Sequence, residues 1–219
     1  MKRANRGDLT GQSMNNFTLH RPFGPSIGEF PLPESIVHEL NSLVDKESSN
    51  RSVFEDIGHR LAGEIASELR LKNSTCDRLG VTDFLAQCAG ALVLNSCGQK
   101  ISRFKLISFW INRQMRNEYN PTHWHSGHLS GAGWLKVPDD IQSGGIKTNQ
   151  HQGVLALIHG SRQFLCGSKY EVVPEVGKFV MFPNYMMHHV YPFSVDGERR
   201  SFAFNAEIDD DTYNVYGSN

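Results

Sequence analysis

The chain is poor in the features that mark several large classes of protein. None of its four cysteines, Cys76, Cys88, Cys97 and Cys166, falls in a C-x-x-C pair. The thiols therefore read as reduced groups in a cytoplasmic protein rather than as a disulfide framework. Basic runs are missing, and the net charge is −1, from 22 basic and 23 acidic residues. Nucleic-acid binding thus has no electrostatic footprint. Long apolar runs are missing too. The longest, Cys88–Leu94, falls far short of a bilayer span, so no membrane partner is expected. The opening segment MKRANRGDLTGQSMNNF has positive charge but no apolar stretch behind it, and does not read as a secretory signal. Internal repeats and low-complexity tracts are also lacking.

What is present is enough for one large domain: 219 residues, of which 39% are hydrophobic. Residues 1–16 are polar and read as a flexible tail, with a single domain over 17–219. A short strand is expected around Phe17–His20. Pro33-Glu34 can open a helix, and Ile36, Val37, Leu40 and Leu43 follow helical spacing to about Lys46. Ser52-x-x-Glu55 has the form of a capping box. The helix it opens would carry Ile57, Leu61, Ile65 and Leu69 as one stripe. A third, nearly all-apolar helix is expected over Asp83–Leu94. The helical part thus spans about 33–97.

After Gly98 the composition turns to glycine, aromatic and β-branched residues in short runs. Strands are expected at Arg103–Asn112, Leu129–Val137, Gly153–Ile158, Gln163–Cys166, Lys169–Val173, Lys178–Phe182, His189–Phe193 and Ser201–Ile208. Helices followed by a run of short strands point to an α+β fold with a sandwich or jelly roll over about 101–208. A jelly roll leaves a pocket between its sheets.

Five of the ten histidines fall in two stretches, 120–138 and 177–205. In the first, His123, His125 and His128 precede an apolar strand. Alternate residues of a strand share a face, so His123 and His125 can aim two imidazoles at one point. Neutral imidazole is a ligand for iron, zinc, copper or nickel. The second stretch starts a strand with His188 and His189 and ends in Arg199-Arg200-Ser201-Phe202-Ala203-Phe204-Asn205. Period-two reading puts Arg200, Phe202 and Phe204 on one face, toward the helices, and Arg199, Ser201, Ala203 and Asn205 on the other, toward the pocket. A buried arginine needs an anion. Its fork suits a carboxylate, and Ser201 can donate to the same group.

The order H-x-H, an SG-apolar strand, F-P-x-x-x-x-H-x-x-x-P and R-x-S resembles the 2-oxoglutarate and Fe(II)-dependent oxygenases. The closest likeness is to the bacterial and phage group that carries H-x-H, distant relatives of prolyl hydroxylases, and it covers roughly Leu106–Asn205. The resemblance implies a double-stranded β-helix with the N-terminal helices packed on one sheet. It implies a single oxygenase domain with iron on His123 and His188, Pro192 favouring His188 over His189. It also implies that Arg199 and Ser201 grip the far carboxylate of 2-oxoglutarate. Asn112, Gln114 and Tyr119 are further candidates to line the cosubstrate pocket. The reaction implied is hydroxylation of an unactivated C–H of a small molecule or amino-acid-like substrate. It consumes O2, releases succinate and CO2, and is supported by ascorbate; a homodimer is compatible with it.

Most of these enzymes carry H-x-D, whereas this chain has His125 at the third position. Either three imidazoles face the iron or a carboxylate from elsewhere completes the set. His128 is a candidate substrate or supporting contact. A three-histidine cupin-type enzyme without 2-oxoglutarate, a thiol dioxygenase or an isomerase, would explain His125 but leave Arg199 and Ser201 without a ligand.

Overall fold

Alternation along one strand, β12 (Arg199–Ile208), sets the layers of this molecule. The computed structural model describes residues 17–20, 24–46, 54–55, 67–141 and 151–214. In it β12 lies between β5 (Phe104–Gln114) and β7 (Leu129–Lys136), antiparallel to both. Further strands complete the larger sheet: β1 (Thr18–His20), β2 (Ile27–Pro31), β3 (Phe54–Glu55), β4 (Ser67–Leu71) and β10 (Lys178–Pro183). The order is β1-β2-β10-β7-β12-β5-β4-β3. The smaller sheet runs β6-β11-β8-β9, from Asn120–His123, Met187–Val190, Leu155–Ile158 and Lys169–Val172. The two sheets form the jelly roll, and the expected α+β class holds.

One face of the larger sheet carries the helices α1 (Glu34–Asp45), α2 (Asn73–Arg78) and α3 (Val81–Cys97). Phe202 and Phe204 are buried there with Phe30, Phe109, Phe179, Leu40, Leu85 and Leu92. Glycine makes room for the rings. A Cβ on Gly133 would lie 2.3 Å from the Phe202 ring, and one on Gly131 would lie 2.4 Å from the Val180 carbonyl oxygen. The opposite face meets the smaller sheet across Trp134, Leu155, Leu157, Val180 and Phe182. No helix among the described residues is long and apolar enough to cross a membrane.

Arg200 ties α1 to the sheet. Its side chain is buried and donates to the Asn41 Oδ1 at 2.9 Å, to Asp45 at 2.8 Å and to both oxygens of Glu198. Glu198 also accepts from Arg113 at 2.8 Å.

Several expectations shift. Both described ends of the helix expected from the capping box at Ser52 are strand instead: Phe54–Glu55 is β3, paired with β4, and Leu69 lies inside β4. Backbone pairing with β5 wins there over the helical spacing. Ile57, Leu61 and Ile65 lie outside the described residues, as does the 1–16 tail. Gln163–Cys166 is a tight turn rather than a strand. His189–Phe193 shrinks to Met187–Val190, because Pro192 lacks the N–H a ladder needs.

Burial pushes the Glu198 carboxyl up, but the hydrogen bonds and charges of Arg200 and Arg113 outweigh it and hold the group at about 2. A carboxyl depressed on folding stabilises above the ordinary carboxylate range, and that stabilisation is lost as pH falls toward about 2. Urea midpoints should therefore drop through this acid window, and Glu198→Gln should flatten the dependence.

Candidate metal centre and anion pocket

Two backbone pairings bring the histidines together. β11 lies beside β6 with His188 opposite His123. Past the end of β6, the His125 N–H donates to the Asn184 carbonyl at 3.0 Å, and the Asn184 side-chain amide donates to the His125 carbonyl at 3.2 Å. His125 is thus placed by this clasp, not by strand alternation, since the strand ends at His123. Gly127 lets the turn close over β12: its φ is +85°, and a Cβ there would meet the Ala206 oxygen at 2.7 Å.

His123, His125 and His188 offer one ring nitrogen each within 4.8 Å of one another. The His125 and His188 Nε2 atoms are 3.1 Å apart. The Nδ1 of His123 sits 2.7 Å from the Pro121 carbonyl and that of His188 2.8 Å from the Met186 carbonyl. A carbonyl can only accept, so Nδ1 carries the proton and Nε2 keeps its lone pair for a cation. Desolvation lowers all three imidazoles, with the neighbouring histidines adding to it at His125 and His188. It takes His125 to about 4 and His188 to about 3. They stand neutral near pH 7, the form that coordinates a metal. No carboxylate joins this group among the described residues.

His189 faces the other way, 3.4 Å from Thr122 and edge-on to Tyr191. His128 is structural: its Nδ1 accepts from the Ile208 N–H at 3.1 Å and its ring stacks on Tyr213. That contact is what carries the chain from β12 into the short helix α4 (Asp210–Tyr213).

On the larger sheet, on the face of β12 that meets the smaller one, lies Arg199. It is 2% exposed, and its Nη1 donates to the Gln114 Oε1 at 3.2 Å and the Ser201 Oγ at 3.3 Å. Its Nε is buried without a partner, and no acid pairs with it among the described residues. Burial without a counter-charge pulls the guanidinium down to about 9. Gly153, at φ +64°, packs on its stem. Asn112 stands opposite Ser201 and Gln114 opposite Arg199 on β5, so both reach this pocket. Gln114 is itself fixed by donating to the Tyr191 carbonyl at 3.3 Å. Tyr119 is 41% exposed, outside the buried cluster.

One residue was not legible as a site residue. Trp134 stands opposite Ser201 on β7, fully buried, with its indole 5.7 Å from the guanidinium and its Nε1–H unpartnered. Its apolar neighbours in sequence read as core. Its unused donor shows only in three dimensions. The Asn112 Oδ1 is also buried without a partner. A buried cation, an indole donor and a serine hydroxyl around one space fit a carboxylate.

A jelly roll that holds a cluster of neutral imidazoles and a buried guanidinium without a counter-charge offers one site for a cation and one for an anion. Residues 108–205, a little under half of the chain, match the family described as "Putative 2OG-Fe(II) oxygenase". Solved structures share the fold. A Pseudomonas putida prolyl-4-hydroxylase is 14% identical, over 88% of this chain and 93% of its own, with a TM-score of 0.51. HygX from Streptomyces hygroscopicus, solved with nickel and 2-oxoglutarate bound, is 12% identical over 84% and 82%, with a TM-score of 0.53. A Trichoplax adhaerens prolyl hydroxylase, in complex with a hypoxia inducible factor peptide fragment, is 14% identical over 94% and 89%, with a TM-score of 0.52. No curated protein matches the chain.

His188→Ala should reduce bound nickel or iron, measured by metal analysis after dialysis, to well below one equivalent. His189→Ala and His128→Ala should stay near about one equivalent. His125→Asp should retain metal, because a carboxylate can take the same position.

Proposed function

We propose that the protein is a 2-oxoglutarate- and Fe(II)-dependent dioxygenase that hydroxylates an unactivated C–H of a small or amino-acid-like substrate. In this reading residues 17–219 act as one oxygenase domain, and His123, His125 and His188 hold the metal. Iron bound there, with 2-oxoglutarate and O2, supplies the oxidation: one oxygen atom enters the C–H bond, the other enters succinate, and CO2 leaves. Ascorbate would keep the metal reduced. The observation that carries the reading is the buried, uncompensated guanidinium of Arg199, which shares an interior with the three imidazoles.

The chain's own groups bind and orient. Arg199 and the Ser201 hydroxyl receive the distal carboxylate, and the Trp134 N–H supplies a further donor. Gln114 keeps the guanidinium pointed by accepting from it. Asn112 borders the same space. Trp110 lies 5.4 Å from the His125 ring and walls the metal from the sheet. The apolar lining, Val180, Phe182 and Leu157, excludes water from the reacting centre.

Three neutral ligands leave the full double charge on the cation, where H-x-D would cancel one unit. That favours an anionic chelating end in the remaining positions. The three-histidine cupin reading shares the metal site but assigns no partner to Arg199. All four cysteines are free thiols, which supports a cytoplasmic setting.

With iron, ascorbate and a broad substrate panel, the protein should release succinate from 2-oxoglutarate. Arg199→Ala should weaken 2-oxoglutarate about a hundredfold, read by calorimetry on nickel-loaded protein, since a charge-assisted pair contributes roughly 2–3 kcal/mol. Trp134→Phe should weaken it about tenfold, the loss of one hydrogen bond from an uncharged donor to the carboxylate. Unchanged 2-oxoglutarate affinity in Arg199→Ala would reject the assignment.

A further inference from the structure

His125 differs from the other two clustered histidines in how its ring is held. The Nδ1–H groups of His123 and His188 donate to the Pro121 and Met186 carbonyls, which fixes each imidazole plane. No described residue accepts from the His125 Nδ1. Its ring is flanked by Trp110 at 5.4 Å and otherwise follows the course of its own backbone. That backbone has left β6 after His123, so no strand ladder supports it. Asn184 supports it instead, with three groups. Its carbonyl accepts from the His125 N–H at 3.0 Å, its own N–H donates to the His128 carbonyl at 3.1 Å, and its side-chain amide donates to the His125 carbonyl at 3.2 Å.

The side-chain amide of Asn184 is in turn oriented from α4. The Tyr213 hydroxyl lies 3.1 Å from the Asn184 Oδ1. The direction of this bond follows from its neighbours. The His125 carbonyl can only accept, so Asn184 turns its NH2 group there and its oxygen toward Tyr213. The phenol therefore donates. Tyr213 is held in turn. Its ring stacks on His128, with centroids 3.9 Å apart and planes 10° apart, and its N–H donates to the Asp209 carbonyl at 3.0 Å. The Asp209 carboxylate anchors the start of α4 by accepting from the Ser102 N–H at 2.7 Å and the Arg103 N–H at 3.1 Å, just ahead of β5. The short helix is thus fastened to the larger sheet on one side and to the 125–128 turn on the other. Tyr213 is 38% exposed and belongs to neither core cluster of the described residues. Core burial does not account for its hydroxyl pointing at Asn184.

We propose that Tyr213 is a positioning residue for the metal ligand His125, acting through the Asn184 amide. The inference rests on the oxygenase reading for the metal but not for the contact. Holding the His125 N–H and carbonyl fixes the backbone from which the ring departs. Loss of the phenol hydroxyl frees the Asn184 amide to rotate. The His125 imidazole, with no acceptor for its own Nδ1, then drifts from the point where His123 and His188 converge. Those two keep their carbonyl partners, so the loss falls on one ligand of three. A merely stabilising role for α4 would instead affect all three alike.

Tyr213→Phe removes the hydroxyl and keeps the stacking ring. Nickel affinity, read by competition with a chromophoric chelator, should fall about three- to tenfold in this variant, the loss of one hydrogen bond. In a His125→Ala background the same substitution should change the remaining affinity less than about twofold. Cobalt-loaded Tyr213→Phe should show a shifted visible ligand-field band. In metal-free protein, amide hydrogen exchange at the His125 N–H should rise about threefold or more while exchange in β8 stays unchanged. Asn184→Ala should reproduce these effects, and Tyr213→Phe should add nothing to it. Three results would each overturn the proposal: unchanged exchange at His125 in Tyr213→Phe, an unshifted cobalt band, or nickel affinity that falls equally with and without the His125 imidazole. Wild-type protein that binds no nickel would instead reject the oxygenase reading, and the exchange rates, measured without metal, would still decide the contact.

Discussion

The register of β12 between β5 and β7 governs the whole arrangement. Arg199 and Arg200 are adjacent in sequence and both nearly inaccessible, yet they face opposite worlds. Arg200 meets two acids and α1, whereas Arg199 meets none. A slip of one residue would exchange them, moving Phe202 and Phe204 into the interior and stranding Arg199 against apolar helices. The phenylalanines make such a slip costly, because each ring sits over a glycine of β7 that a slipped register would not offer. Packing on the helical side therefore fixes the polarity of the pocket on the other side.

The histidine cluster depends on a different device. Its members come from the end of β6, from the segment after it and from β11, and none lies on the sheet that carries Arg199. What holds them in place is backbone: the β6–β11 pairing, the clasp between His125 and Asn184, and carbonyl acceptors for two ring N–H groups. Cation site and anion pocket are thus built on opposing sheets, and their separation is set by the interior packing of Trp134, Val180, Phe182 and Leu157.

Much of this was legible in the sequence where a short-range rule decides. The alternation of β12 gave both arginines their faces, whereas the strand expected over His189–Phe193 ran through Pro192 and misplaced both ends of β11. His188 and His123 were readable because motif spacing constrains them. Legibility fails where distant backbone decides. The stripe ending at Leu69 has helical spacing, but β5 recruits that segment as a strand. His128 reads as a substrate or supporting contact and instead pins Ile208 and Tyr213, residues far away in the chain. Trp134 reads as core because nothing local distinguishes a satisfied indole from an unsatisfied one.

Placing Arg199 and Arg200 side by side on one stiff strand has a further effect. The first faces the anion pocket and the second anchors α1 through Asn41 and Asp45. Backbone displacement at either position is transmitted to the other across a single peptide unit. Any coupling between docking of the helical layer and occupancy of the pocket is reciprocal: the factor by which one changes the other is the factor it receives in return.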